Sequence, residues 1–218
     1  MDVNTGTLEV ITGTMFSGKS TELIRRVNRF EIAGREVQLF KPSIDNRFGL
    51  LSISSHDGLE HRVEYISHAG EIRERLDDKT QVVGIDEIQF FTDHIIEICE
   101  SLANTGRTVV VSGLLKDFRD EFFPFRDGEK DLSDLIRNAD DVVYLKAICT
   151  FAEDGEICGR DATRVQRYID GQVAPYDSPT IVVGGKEAYA PRCRAHFKAY
   201  SERAIRARTL PLFPEENR

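Results

Sequence analysis

Short runs of apolar, mostly β-branched residues recur along the first two thirds of the chain, at residues 8–12, 37–40, 82–85, 108–111 and 142–145. Two of them are apolar at nearly every position, which predicts strands covered on both faces within a parallel sheet. Helical spacing fills the intervals. Residues 21–33 set Leu23, Val27 and Phe30 on one face and stop at Gly34; residues 93–104 set Ile95, Ile96, Cys99, Leu102 and Ala103 on one stripe and stop at Gly106. Strand and helix in alternation predict a βαβ architecture with right-handed crossovers and a ligand beyond the carboxyl ends of the strands. After Lys146 the texture changes: residues 163–169 alternate, and Asp170-Gly171 is a two-residue hairpin signal before Gln172-Val173, so a small β-rich appendage is expected. The stretch from Thr209, with Pro211, Pro214, Glu215 and Glu216, offers little to pack and reads as a mobile tail.

Composition narrows the class. With 218 residues, 40% hydrophobic and 30% charged, the chain sits near the globular average, which excludes collagen-like, disordered and disulfide-scaffold classes. Lys and Arg number 29 against 37 Asp and Glu, and the resulting charge of −8 repels a phosphate polyanion, so nucleic acid is not expected as a partner. The opening residues lack a basic segment followed by an apolar stretch, and nowhere do about 18 apolar residues run together, so the expectation is a cytoplasmic protein with no membrane partner. In a reducing cytosol the four cysteines are expected to be buried, catalytic or metal-bound rather than paired.

Two motifs carry chemistry. Gly13-Thr14-Met15-Phe16-Ser17-Gly18-Lys19-Ser20 matches G-x4-G-K-[ST] at every fixed position, between the first predicted strand and the first predicted helix. Its glycines let the backbone wrap a phosphate, the amides and the helix N-terminus supply positive potential, Lys19 adds a full charge at the β- and γ-phosphates, and Ser20 can ligate Mg²⁺. The loop is built for a nucleoside triphosphate. Asp86 and Glu87 end the apolar run 82–85 on the same sheet edge. In such sites the first acid holds Mg²⁺, usually through water, and the second can take a proton from an attacking hydroxyl or water. These motifs define phosphoryl transfer without naming the acceptor.

Cys193-x2-His196 is a compact knuckle, and Cys149 and Cys158 lie upstream across the predicted hairpin. Three thiolates and an imidazole suit a closed structural Zn²⁺ site; small buried cysteines are the alternative. Cys99, on the apolar stripe of its helix, reads as core.

Taken in order, G-T-M-F-S-G-K-S at 13–20, D-E-I-Q-F-F at 86–91, Gly113-Leu114 with Asp117-Phe118-Arg119, Cys158-Gly159 with Ala162-Thr163-Arg164, and Val183-Gly184-Gly185 through Tyr189 to Cys193 resemble type II thymidine kinase, from about residue 8 to residue 198. The resemblance implies an α/β fold, a P-loop NTPase-like parallel sheet flanked by helices with a small zinc-binding β-ribbon and lasso. It divides the chain into a nucleotide-binding core at 1–146, a zinc ribbon and nucleoside-binding lasso at 147–200 and a tail at 201–218. The activity it implies is transfer of the γ-phosphate of ATP to the 5′-hydroxyl of thymidine.

Site residues follow from the same resemblance. Glu87 matches the catalytic base. Phe118 matches the aromatic that packs on the thymine ring, with Met15, Phe90 and Leu114 around it. Thr180, Ile181, Val182, Val183, Gly184 and Tyr189 match the loop that closes over the base, and Thr163 reaches the same pocket. Arg47 looks like a phosphate-side arginine, and it joins Asp86, Gln89 and residues 13–20 on the ATP side. Cys149, Cys158, Cys193 and His196 match four zinc ligands that pin the stem of the closing loop. Feedback inhibition by dTTP and a homotetramer are further implications.

The sequence departs from the family pattern in three places. Six extra residues separate Cys149 from Cys158, so either Cys149 is replaced as a ligand or the ribbon bulges at residues 151–157. Leu115-Lys116 stand where an acid is usual, and residues 120–125 are bulkier than the usual Gly-containing stretch. These changes bear on substrate breadth, including acceptance of deoxyuridine. The rival reading is a nucleic-acid-stimulated P-loop ATPase carrying a zinc ribbon, which the charge of −8 and the lack of a contiguous basic face oppose. A third, non-enzymatic reading is a nucleotide-binding regulator.

Overall fold

The computed structural model describes residues 6–43, 53–54, 60–61, 63–126, 128–180 and 188–198. Arg47, the segment 181–184 and the tail from Thr209 lie outside these residues. In chain order the elements are β1 (Thr7–Gly13), α1 (Lys19–Ile32), β2 (Val37–Pro42), the two-residue strands β3 (Ile53–Ser54) and β4 (Glu60–His61), β5 (Val63–Ile66), α2 (Glu71–Arg75), β6 (Val82–Ile85), a 3-10 turn at Ile88–Phe90, α3 (His94–Asn104), β7 (Thr108–Leu114), α4 (Leu132–Ile136) and β8 (Asp141–Leu145). Six of these strands form one sheet in the order β5-β2-β6-β7-β1-β8, and every neighbouring pair is parallel.

Alternation within the strands explains the sheet. Val109 and Val111 join the cluster that includes Val10, Val83, Ile85 and Phe40 and packs on Ile95, Ile98, Cys99 and Leu102 of α3. Val110 points to the opposite face and joins Ile11, Leu39 and the Leu23, Ile24 and Val27 stripe of α1. Helices thus cover both faces, which is why these strands carry hydrophobic residues at successive positions. Each fully buried aliphatic side chain contributes about 1.5–3 kcal/mol relative to exposure. Gly84 permits the close packing on the α1 side: a Cβ there would lie 2.2 Å from Leu39 Cδ2.

Parallel strands in near register bring their carboxyl ends to one edge. Gly13 pairs with both Leu114 and Leu145, and Ile85 sits opposite Phe40 and Val111. The phosphate loop, the Asp86-Glu87 pair and the turn after Leu114 therefore leave the sheet on the same side, as the strand–helix alternation predicts.

Beyond Leu145 the strands are short: β9 (Ala147–Ile148), β10 (Ala152–Glu153), β11 (Glu156–Ile157), β12 (Asp161–Ala162), β13 (Arg164–Ile169), β14 (Gln172–Val173) and β15 (Ala188–Arg192). The expected hairpin forms, with β13 antiparallel to β14 and Asp170 and Gly171 at φ 50° and 76°, the pairing of positive φ values that a two-residue turn favours. Its longer partner is β15, in register Arg164 to Arg192 through Tyr168 to Ala188. The residues between Cys149 and Cys158 form a hairpin of their own, β10 against β11. Asp154 (φ 50°) and Gly155 (φ 84°) make its turn, and the Cys158 N–H donates to the Phe151 carbonyl at its base (2.8 Å). The ribbon bulges, and Cys149 stays beside Cys158.

Candidate active site

The phosphate loop needs backbone that other residues resist. Gly18 takes φ 83° and Phe16 φ 67°, while a Cβ at Gly13 would lie 2.2 Å from the Leu145 carbonyl oxygen. α1 starts at Lys19, so its first N–H groups face the loop. The Lys19 side chain is buried; its Nζ donates to the Thr14 carbonyl (3.1 Å), one bond for a group with three donors. Burial lowers the Lys19 pKa from the ordinary lysine value, and the charges of Glu87 and Asp86 act against that fall. Ser17 Oγ is buried and finds no hydrogen-bond partner among the described residues. A dehydrated ammonium and an orphaned hydroxyl under a helix N-terminus fit an anionic phosphate chain.

Asp86 is almost fully buried and receives the Ser20 hydroxyl (2.9 Å to Oδ2) and the Ser112 hydroxyl on Oδ1, with Lys41 Nζ 3.6 Å from Oδ2. This links α1, β2, β6 and β7 through one carboxylate. A hydroxyl beside a carboxylate offers the oxygen ligands that Mg²⁺ takes when it is held together with substrate phosphates. Lys41 and Ser112 carry no motif signal and were not legible in the sequence.

Glu87 adopts φ 51° and ψ 44°, an uncommon conformation for a non-glycine residue and one that clusters at functional sites. It turns the chain from β6 into the 3-10 turn. Its Oε2 accepts a bond from Gln89 Nε2 (2.6 Å), and Gln89 Oε1 accepts from the Leu114 N–H (3.0 Å). Gln89, expected on the ATP side, is wholly buried and ties the acid to the end of β7. Gly113 leaves space for this: a Cβ there would lie 2.6 Å from Ile88 Cγ2 and 3.0 Å from Gln89 Oε1.

Five of the residues matched to the nucleoside side meet through Met15. It packs on a cluster of Phe90, Leu114 and Phe123 and on a second cluster of Phe118, Val165 and Ala174 that Tyr189 also joins. Phe123 meets Phe90 edge to face, with centroids 5.9 Å apart, and Phe125 is buried, so these two of the bulky residues in 120–125 are core packing while Phe122 is exposed. Lys116 pairs with Asp120 (2.9 Å), which also accepts from Arg164 Nε (3.0 Å). The Thr163 hydroxyl accepts from Arg164 Nη1 (2.9 Å), and that of Thr180 from Arg119 Nη1 (2.8 Å).

The metal-type residues converge as well. One ligand atom each from Cys149, Cys158, Cys193 and His196 lie within 4.8 Å of one another. His196 Nδ1 is 3.6 Å from Cys149 Sγ and 3.5 Å from Cys193 Sγ, and Cys158 Sγ is 4.0 Å from Cys193 Sγ. Sulfurs at about 2.3 Å from a tetrahedral zinc stand about 3.8 Å apart, so the residues present fit that ion. Arg160 Nε donates to Cys158 Sγ (3.3 Å) and, with the Arg160 backbone N–H, lowers its pKa to about 6. Phe151 stacks on the His196 ring at 4.1 Å. Cys99, in contrast, is fully buried in the α3 core, which pushes its thiol pKa up.

A parallel sheet whose first strand opens a G-x4-G-K-S loop, with a buried acid on the loop's serine, defines a P-loop nucleotide-binding protein. The sequence model of the thymidine kinase family matches residues 6–197. A thymidine kinase from Thermococcus kodakarensis is 44% identical over 196 residues, covering 88% of this chain and 93% of that protein. The chain belongs to the thymidine kinase family, which makes it a kinase and implies ATP. Among solved structures, that of the Legionella pneumophila ATPase DotB aligns at a TM-score of 0.43 and 17% identity, over 72% of this chain and 44% of that one, a likeness too slight to bear on function. Among the described residues no helix is long and apolar enough to cross a membrane.

Proposed function

We propose that this kinase transfers the γ-phosphoryl group of ATP to the 5′-hydroxyl of thymidine, giving dTMP for DNA synthesis through nucleoside salvage, and that it also accepts deoxyuridine. The observation that carries the reading is Glu87: a carboxylate pinned by Gln89 in a strained turn, whose charge acts on the buried phosphate-loop Lys19. Glu87 takes the proton of the 5′-hydroxyl as its oxygen attacks the γ-phosphorus. Lys19 and the loop amides neutralise charge on the transferring group, which phosphoryl transfer needs more than covalent help. Ser20 and Asp86 would hold Mg²⁺, which supplies further neutralisation of the phosphate oxygens. Phe118, Met15, Phe90, Leu114, Thr163, Thr180 and Tyr189 bind the nucleoside and exclude water as a competing acceptor.

Cys149, Cys158, Cys193 and His196 would hold Zn²⁺, which supplies a closed structural crosslink with no open position for catalysis. Division at 146/147 and at 200/201, a homotetrameric assembly, feedback inhibition by dTTP and a cytoplasmic site of action complete the proposal, and family membership supports them.

The test is a panel of nucleosides incubated with ATP and Mg²⁺, with products identified by mass. Thymidine is expected to gain one phosphate, deoxyuridine likewise, and 5′-deoxythymidine none. Phosphorylation of 5′-deoxythymidine, or of no nucleoside, would overturn the assignment.

A further inference from the structure

Residues 174–180 bury little apolar surface: Ala174 is buried and Tyr176 is 40% exposed. What holds the stretch is polar, and most of it comes from one side chain. Arg119 donates from Nε to the Tyr176 carbonyl (2.6 Å), from Nη1 to Thr180 Oγ1 (2.8 Å) and to Asp117 Oδ2 (2.5 Å), and from Nη2 to the Ser178 carbonyl. Its guanidinium carbon lies 4.4 Å from the centroid of the Phe118 ring and 5.4 Å from that of Tyr176. Tyr176 Oη donates to Glu121 Oε1 (2.6 Å), and the buried Arg167 donates to the Pro179 carbonyl while lying 5.2 Å from the Phe118 centroid.

The D-F-R turn explains how Arg119 comes to be aimed. Asp117 Oδ1 accepts from the N–H groups of Arg119 (2.8 Å) and Glu121 (3.2 Å), closing the turn, while Oδ2 anchors the guanidinium. Phe118, between them, is buried against Val165 and Ala174. The planar fork of an arginine satisfies four acceptors and covers a ring at once; an ammonium cannot reproduce that geometry.

We propose that Arg119 is a positioning residue for the nucleoside: it fixes the Phe118 ring and residues 176–180 in one arrangement and thereby shapes the base side of the pocket. The proposal rests on the reading that Phe118 and Thr180 contact the nucleoside. The bonds of Arg119 go to Asp117, Tyr176, Ser178 and Thr180, so its proposed action on the nucleoside is through them.

The test is Arg119→Lys, which keeps a cation beside the buried Asp117 and loses the fork. The thymidine KM is expected to rise about tenfold or more while the ATP KM stays within about twofold. Without any ligand, amide hydrogen exchange across residues 176–180 is expected to speed up, with exchange in α1 and β7 unchanged. A double-mutant cycle with Thr180→Val should give a smaller loss in the Arg119→Lys background than in the parent, because the two share a bond. Unchanged KM and unchanged exchange in an active enzyme would overturn the proposal, and so would thymidine and ATP KM rising together. Should the parent enzyme phosphorylate no thymidine, the assignment of function falls, and the exchange measurement alone decides whether Arg119 holds the segment: faster exchange supports that role and unchanged exchange removes it.

Discussion

Around the phosphate loop, the residues that bear chemistry stand at the ends of strands whose side chains are buried on both faces, between α1 and α3. Around Phe118 and the Cys/His cluster they stand in turns and loops beside short strands, and the local apolar clusters hold little more than Ala147, Cys149, Ala162 and Cys193, or Phe118, Val165 and Ala174. The first region is fixed by the hydrophobic effect acting on a continuous sheet. The second lacks the area for that and relies on directed contacts: four metal-type ligands, arginine forks and cation–π pairs. Under the proposed function, a site that must hold phosphates in constant geometry benefits from the first kind of support, and a region proposed to admit and release a nucleoside is drawn from the less stable end of the fold.

The largest expected effect lies at the join of the two regions. Glu87→Gln keeps the hydrogen-bonding outline and removes the proposed base, so kcat should fall by about a hundred- to ten-thousand-fold with ATP affinity retained. Steady-state kinetics with a separate ATP titration measures both. Metal removal should split the regions next. Elemental analysis should find about one zinc per chain, and stripping it with a chelator should weaken thymidine binding at least about tenfold while ATP binding persists. Equal loss of both ligands would break the comparison.

Leu23→Ala, in the stripe of α1 on the sheet, should cost about 2–5 kcal/mol in denaturant unfolding of the phosphate side, yet leave the thymidine KM unchanged. The smallest effect is expected at the edge of the metal site. Arg160→Gln removes the side-chain donor to Cys158 Sγ, and zinc affinity by chelator competition should weaken about tenfold. If zinc affinity holds, Arg160 serves the ribbon only as surface charge.

Much of the phosphate side was legible because its signals are local. Apolar runs buried at successive positions, the G-x4-G-K-S spacing and the paired acids each lie within a few residues. β5 was not, since Val63-Glu64-Tyr65-Ile66 is half polar and sits at a sheet edge, buried mainly at Ile66. β15 also escaped, because its partner β13 ends at Ile169, with residues 170–187 still to come before β15 begins, and its strand contains Pro191. The widened cysteine spacing was visible, but only the backbone resolves it as a hairpin whose Phe151 lies on His196. Arg119 was visible in sequence only as part of the D-F-R motif and Arg167 only as one position of an alternating strand; their four-way and ring contacts are encoded by no spacing.

The most direct test is ADP release measured in a single assay with ATP and Mg²⁺, run with thymidine, without it, and with single-stranded DNA in its place. The expected result is release that depends on thymidine, matched mole for mole by dTMP, with DNA giving no more than the background. Release at the same rate in all three would contradict the account, because Glu87 would then be serving water rather than a sugar hydroxyl.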